Sequence, residues 1–311
     1  ASDFQGENYF NALVQYRHTW INRLGGEWVA EAQVGQNTYL FSEFYQPIEA
    51  RARLFVAPYA RIGEYTRGVF VGDDRVAEYQ VREALGGLDV GTTLGTWGEF
   101  RLGPVWRRID ADVDTGSPIL PDVRVNASGA RGRLFADRLD TPFFARSGHR
   151  LMANAFAGMS ALGADDDYQK IDANWTGAHS FGPHTVASTL AGGTDLGSGL
   201  PPYDSFVLGG PFRLSGYRIG QFSGKNMAYG RLSYYNQVLR LPSLLGSGVY
   251  LGATAEAGSV GGVYTQGGAS TGTLWSGSIF VGAETFLGPA YVGVATAGGG
   301  NNTFYLLLGA P

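Results

Sequence analysis

The stretch Val207-Leu208-Gly209-Gly210-Pro211-Phe212-Arg213-Leu214-Ser215-Gly216-Tyr217-Arg218-Ile219-Gly220 decides how the rest of the chain is read. Its glycines and turn residues are too dense for a strand interior, so it reads as a structured loop. About ten segments before it and about five after it alternate apolar and polar residues, the period of half-buried strands. A long ordered loop among regular strands is usually functional.

Composition narrows the setting. Of 311 residues only 16% are charged, against about 25% in ordinary soluble enzymes, while 48 are Gly and the aromatics number 18 Phe, 17 Tyr and 6 Trp. A mean hydropathy of −0.07 averages apolar with polar residues, and no apolar run of about 18 residues offers a membrane helix. Embedding in a membrane therefore has to be by strands, and a closed barrel is the only spanning solution because lipid tolerates no unpaired strand edge. The chain has no cysteine, which removes disulfide frameworks and zinc–thiolate sites. A net charge of −4 without any Lys/Arg run argues against nucleic acid as a partner. No signal peptide is visible, so the sequence reads as a mature or trimmed piece.

Two faces sort along the segments. From Tyr9 to Trp20, Phe10, Ala12, Val14, Tyr16 and Trp20 oppose Asn11, Gln15, Arg17 and Thr19. Ala77, Tyr79, Val81 and Leu85 oppose Glu78, Gln80 and Arg82, and Phe100, Leu102 and Trp106 oppose Glu99, Arg101 and Arg107. Alternation alone fits a lipid-facing barrel or a soluble sandwich, but the charges collected on one side suit a water-filled lumen better than a dry core. Loop chemistry punctuates the chain at Leu24-Gly25-Gly26, Gly35-Gln36-Asn37, Gln46-Pro47, Gly72-Asp73-Asp74, Gly95-Thr96, Phe181-Gly182-Pro183 and Gly288-Pro289. Between these punctuation points strands are expected near 8–20, 26–35, 37–46, 53–71, 75–95, 97–112, 123–139, 148–161, 168–181, 184–195, 226–240, 247–260, 272–287, 289–298 and 303–309, with no helical domain.

The run Leu208-Gly209-Gly210 followed by Arg213-Leu214-Ser215-Gly216-Tyr217 resembles the sixth extracellular loop of the BamA/TpsB superfamily of outer-membrane insertases and secretion transporters. That family's tetrad reads roughly Val-Arg-Gly-Tyr or Val-Arg-Gly-Phe. Here Ser215 stands at the Arg position, and the Leu-Ser-Gly-Tyr form is most similar to the C-terminal barrel of patatin-like (type Vd) autotransporters. The resemblance covers essentially all 311 residues. It implies an all-β, transmembrane antiparallel barrel of about sixteen strands in the bacterial outer membrane, forming one translocator domain over 1–311 with loop six at about 197–225. A periplasmic repeat and a phospholipase-like passenger would lie upstream of this chain. Implied partners are outer-membrane lipid or lipopolysaccharide, a fused or separate passenger polypeptide, the outer-membrane assembly machinery and, as one way of closing the barrel, a second copy in a homodimer. No cofactor, metal or catalytic residue is implied for this chain.

Two further motifs carry the resemblance. Leu251-Gly252-Ala253-Thr254-Ala255-Glu256-Ala257-Gly258 resembles the strand whose Asp meets the family's loop arginine, with Glu256 at the Asp position and Gly258 closing the motif. Ser215 cannot form that ion pair, so Arg213 or Arg218 is expected to reach Glu256 instead; the alternative is that Glu256 faces water. Asp140-Thr141-Pro142-Phe143-Phe144-Ala145-Arg146-Ser147-Gly148 resembles the family's Asp-x-Pro-Phe-Phe-Pro-x-x-Gly periplasmic turn, its key residues being Asp140, Pro142, Phe144 and Gly148, with Ala145 in place of the second Pro. Counting back from this turn, 8–20 runs towards the periplasm, so about fifteen strands are expected with the first truncated upstream of, or within, residues 1–6. The ending Gly309-Ala310-Pro311 replaces the usual terminal aromatic, as if the assembly signal were trimmed or altered.

Other candidates read as loop or wall. Gly268-Ala269-Ser270-Thr271-Gly272 has the Gly-x-Ser-x-Gly form but no following helix to build a nucleophile elbow. Asp110, Asp112 and Asp114 imitate a calcium loop with Gly116 one place late and Pro121 where the bidentate Glu belongs. Asp165-Asp166-Asp167 reads as a solvated loop, with a weak divalent or lipopolysaccharide-bridging site as its alternative. His18, His149, His179 and His184 have no metal-ligand spacing. Tyr9, Trp20, Trp28, Trp97, Trp175 and Trp275 suit interfacial girdles. A transporter for a separate partner, a passive porin and a soluble all-β binding protein remain alternatives.

Overall fold

The computed structural model describes residues 4–116, 121–242, 246–285 and 288–309. The chain ends on which truncation was expected, residues 1–3 and 310–311, lie outside the described residues. The first strands are β1 (Phe4–His18), β2 (Glu27–Gly35), β3 (Asn37–Pro47), β4 (Leu54–Val71), β5 (Asp74–Thr93) and β6 (Gly98–Thr115). Then come β7 (Val123–Asn126), β8 (Gly129–Asp137), β9 (Ser147–Gly158), β10 (Gln169–Phe181), β11 (His184–Thr194), β12 (Phe206–Leu208) and β13 (Phe222–Gly224). The chain finishes with β14 (Asn226–Arg240), β15 (Gly246–Gly261), β16 (Leu274–Thr285), β17 (Gly288–Ala297) and β18 (Asn302–Leu308). Among the described residues no helix is long and apolar enough to cross a membrane.

Sixteen of these strands form one closed barrel of fifteen wall positions, β7 and β8 sharing one beside β6. Successive wall strands pair antiparallel, β11 pairing with β14 across the long loop, while β12 and β13 make a separate two-stranded ribbon within that loop. The expected strand 123–139 is split: Ala127 and Ser128 interrupt it, β7 pairs with the upper part of β6 and β8 with the lower part. An odd number of hairpin-linked strands leaves the first and last running the same way. The barrel therefore closes by a parallel pair, β1 with β18, in register from Phe4↔Asn302 to Phe10↔Leu308. Closure needs neither a further strand nor a second copy.

One end of the barrel carries mostly short turns, the other the long connections 159–168, 195–225 and 262–273. Large apolar side chains cover the outside, Val14, Leu102, Leu190, Ile279 and Val294 among them, as a lipid-facing wall requires. Inside, charges pair: Arg101 with Glu43 and Glu99, Arg133 with Asp89, and Arg107 with Glu83.

The expected facing of 77–85 is reversed. Ala77 and Val81 are buried inside with Ile109 and Ala111, and Arg82 is 57% exposed on the outside, paired with Glu64 and Asp112. β4, β5 and β6 have 18, 20 and 18 residues, whereas about 9–11 suffice to cross a bilayer. Their long-loop ends stand clear of the lipid, so charge turns outward to water and apolar residues turn in. Lower on β5 the same odd-numbered face carries Glu83 and Asp89 into the lumen, and Leu88 and Val90 face out.

Candidate functional site

The loop between β11 and β14 enters the lumen as a tied structure. Asp195 accepts hydrogen bonds from the backbone N–H groups of Gly197 (3.0 Å), Gly199 (3.1 Å) and Leu200 (3.2 Å). Burial pushes its carboxyl up, but these three donors outweigh that and hold it below the usual carboxylate range. The 3-10 turn Pro202–Asp204 follows. Asp204 is gripped by Arg107 (3.3 Å), Lys170 (3.2 Å) and the Tyr168 hydroxyl (2.6 Å). Burial raises the Asp204 carboxyl, and the Arg107 and Lys170 charges more than reverse the shift.

Beyond β12 the chain doubles back at Gly209 and Gly210, whose φ values of 116° and 108° favour glycine. A Cβ on Gly209 would collide with the Arg218 carbonyl. The N–H groups of Gly209 and Gly210 donate to the carbonyls of Arg213 (2.9 Å) and Tyr217 (3.1 Å). Phe212 and Leu214 also take positive φ, 58° and 71°, at about 1–3 kcal/mol each. Their burial offsets this: Leu214 is fully enclosed, and Phe212 packs on Phe280, Tyr291 and Tyr305.

At the tip, Ser215 meets Glu256. The Ser215 N–H donates to Glu256 Oε2 (2.7 Å) and its hydroxyl to Oε1 (2.8 Å), which also accepts from Thr254 Oγ1 (2.7 Å). Ser215 is wholly buried and Glu256 is 4% exposed. Ser215 Oγ further accepts the Phe212 N–H (2.9 Å), so one hydroxyl closes the turn and fastens it to the wall. Gly216 donates its N–H to Ser276 Oγ (2.8 Å), and a Cβ there would lie 2.7 Å from the Ala297 backbone nitrogen. Gly258 allows similarly close packing: a Cβ would lie 3.1 Å from Leu208. Tyr217 is buried against Phe222.

The expected arginine lock is corrected here. Among the described residues no arginine makes an ion pair with Glu256; the serine itself binds the carboxylate. Arg213 lines a cavity next to the 140–148 turn instead, and Arg218 sends its backbone N–H to Gln221. The cation nearest in the wall is one the sequence reading passed over. Arg231 sits directly across the β14–β15 ladder from Glu256 and donates to the Phe212 carbonyl (2.8 Å) and to Thr189 Oγ1 (3.2 Å). Ser276 and Ser278 were also missed; their signal was two small hydroxyl residues at alternate places on one face of β16. The alternative of a water-facing Glu256 fails on its burial.

The turn at 140–148 folds in from the short-turn end. Asp140 Oδ1 accepts the N–H groups of Thr141 (3.0 Å), Arg146 (2.9 Å) and Ser147 (3.2 Å), a nest that rigidifies the turn after Pro142. Gly148 has φ 98°, and its missing Cβ would strike the Arg138 carbonyl. Phe144 stacks on Tyr250 (4.2 Å between centroids) and on Tyr291 (5.1 Å), and Tyr291 also receives Phe212 at 4.9 Å. Loop and turn, entering from opposite ends, thus share an aromatic wall.

A luminal loop fastened to a wall carboxylate and a turn of this pattern at the opposite end of a closed barrel now stand together. Residues 27–283 match the Omp85 superfamily domain. The chain belongs to the Omp85 superfamily. Its fold is also that of solved outer-membrane barrels. BamA from Haemophilus ducreyi lacking POTRA domains 1–3 is 13% identical with a TM-score of 0.72, the alignment covering 96% of this chain and 68% of that one. CdiB from Escherichia coli is 14% identical with a TM-score of 0.61, covering 92% and 55%. CdiB from Acinetobacter baumannii is 12% identical with a TM-score of 0.56, covering 93% and 55%. No curated protein sequence matches the chain. At such identities the structural likeness concerns the fold. As an Omp85 barrel of the bacterial outer membrane, it has its short-turn end in the periplasm and its long loops outside.

The remaining candidates of the Omp85 chain fall on loops and walls. Ser270 is exposed in the loop after β15 and accepts the Gly272 N–H. Asp165, Asp166 and Asp167 bond to Asn126, Tyr203 and Ser160, holding outer loops together. Trp20, Trp28 and Trp97 are exposed near periplasmic turns and Trp275 near the outer end of β16, whereas Trp175 is at mid-strand; the side chain of Tyr9 lies outside the described residues.

Proposed function

We propose that this chain is the translocator of a type V secretion protein of the patatin-like autotransporter kind, anchoring and exporting a fused phospholipase-like passenger and doing no chemistry of its own. The observation that carries the reading is the Ser215–Glu256 fastening, in which an uncharged residue holds the carboxylate. It makes the Leu-Ser-Gly-Tyr form, on which the resemblance to these autotransporters rests, a working substitute for an arginine–carboxylate pair. Hydrogen bonds from a hydroxyl and an N–H to a buried carboxylate hold the loop in the lumen without burying a second charge, which avoids part of the desolvation cost of an ion pair. A luminal loop seated this firmly suits a regulated passage better than a passive pore. The second reading is a transporter for a separately made partner, favoured by the likeness of the fold to CdiB.

The test is to fuse a protease-sensitive reporter before residue 1 and to supply the same reporter separately in the periplasm. Surface exposure of the fused reporter alone supports the autotransporter reading. Export of the separate one favours the partner transporter, and a well-assembled barrel that exports neither sinks both.

A further inference from the structure

Between the luminal loop and the periplasmic turn lies a cavity of about 350 Å³. Pro211, Phe212 and Arg213 wall it on the loop side, and Pro142 to Ala145 on the turn side. Three arginines line it, Arg150, Arg213 and Arg231, with the hydroxyls of Thr176, Thr189 and Ser233, and no Asp or Glu is among its described lining residues. The three cations are unequally satisfied. Arg150 is paired with Asp137 (2.8 Å). Arg231 spends its two terminal nitrogens on Phe212 and Thr189, and its buried Nε has no hydrogen-bond partner. The Arg213 side chain makes no hydrogen bond or ion pair among the described residues, and it feels the Arg231 charge as repulsion and the Asp172 charge as attraction.

Two guanidiniums of like charge, one without a side-chain partner and the other with a buried, unsatisfied Nε, line a space that supplies hydroxyl donors but no anion. We infer that this cavity is an oxyanion-binding site, taking a carboxylate or phosphate group between Arg213 and Arg231. The planar guanidinium fork matches both groups, and the aromatic wall of Phe144, Phe212 and Tyr291 accepts apolar neighbours of the anion. A carboxylate would come from an acidic side chain of a polypeptide within the barrel, a phosphate from a small solute. Because Arg213 belongs to the loop and Arg231 to the wall, an occupied site ties the loop down further, and binding to the folded form alone raises thermal stability in a saturable way.

The experiment follows the unfolding temperature of the detergent-solubilised barrel against inorganic phosphate and, separately, against a doubly capped Phe-Asp dipeptide, with chloride at matched ionic strength and the Phe-Asn dipeptide as controls. A saturable rise over the controls is expected, with Arg213→Gln or Arg231→Gln weakening apparent affinity about tenfold or more, and with Arg82→Gln, the same charge change on the outer surface, leaving it unaltered. Arg213→Lys should retain part of it. A rise with the Asp dipeptide alone assigns the site to polypeptide carboxylates, and one with phosphate alone to solutes. The inference is overturned if both anions act no better than their controls, or if their effect is the same in Arg213→Gln as in the unaltered barrel.

Discussion

Glu256 and Ser215 show how a hydroxyl replaces a guanidinium. Oε2 accepts from a backbone N–H, which can only donate, whereas Oε1 accepts from two hydroxyls, which can also accept. A carboxamide oriented with its oxygen on the Ser215 N–H satisfies both sides, so Glu256→Gln should keep the loop seated. Glu256→Ala leaves a buried N–H and two hydroxyls without their acceptor and should cost about 3 kcal/mol or more. Ser215→Ala removes the hydroxyl alone, at about 1.5–3 kcal/mol, since hydrogen bonds to charged groups contribute that much. Gly216→Ala fails for a different reason: its Cβ would press on the Ala297 backbone, which is held in the β16–β17 ladder opposite Ser276. The heat shift on electrophoresis should rank Gly216→Ala and Glu256→Ala well below Ser215→Ala, and Glu256→Gln near the parent. If Glu256→Gln loosens the loop as much as Glu256→Ala, the negative charge, not the hydrogen-bond geometry, is what fastens it.

At the scale of elements, the loop between β11 and β14 depends on two carboxylates, Asp195 at its entry and Asp204 at its shoulder. Both are held below the usual carboxylate range in the folded protein. Each therefore contributes stability that is complete above the unfolded value of about 3.9 and is lost as pH falls through its own lowered value. Hydrogen exchange of the loop amides, corrected for intrinsic rates, should stay slow from neutrality down to about pH 4 and quicken only below it; Asp204→Asn should make the loop more open at neutral pH and less responsive to acid. Opening that begins near pH 6 would point to a histidine instead. The loop, the 140–148 turn and the strand bearing Glu256 were legible because glycines with unusual φ, a nest-forming Asp and a lumen-facing carboxylate each leave a local mark. What Ser215 would bind was not legible, since the decision is made by register: only the folded ladder shows Glu256 opposite Arg231. The facing of 77–85 was misread for a related reason, because alternation gives two faces but not which one meets lipid, and β5 passes from membrane to water along its own length.

Among the described residues the whole molecule is closed by seven parallel residue pairs between β1 and β18, as many as the antiparallel pairs that join β2 to β3 and fewer than the eleven that join β9 to β10. Parallel pairing is slightly less stable per residue than antiparallel, so the seam is the weakest line in the wall. The sequence yielded the strand count that forces it. An odd number leaves an edge that must be matched by a strand running the same way or by another copy. Direct closure is what the ladder shows, and a barrel closed within one chain has no need of a partner to satisfy its edges. A cysteine pair at Phe10 and Leu308, opposite each other at the end of this register, should form a disulfide inside one chain in native outer membranes, and electrophoresis without reductant should show a monomer of altered mobility. That bond should raise the temperature of the heat shift more than a control pair placed between β9 and β10, because it reinforces the line that opens first. A disulfide-linked dimer from the same pair would mean that in the membrane the seam is completed by a second chain.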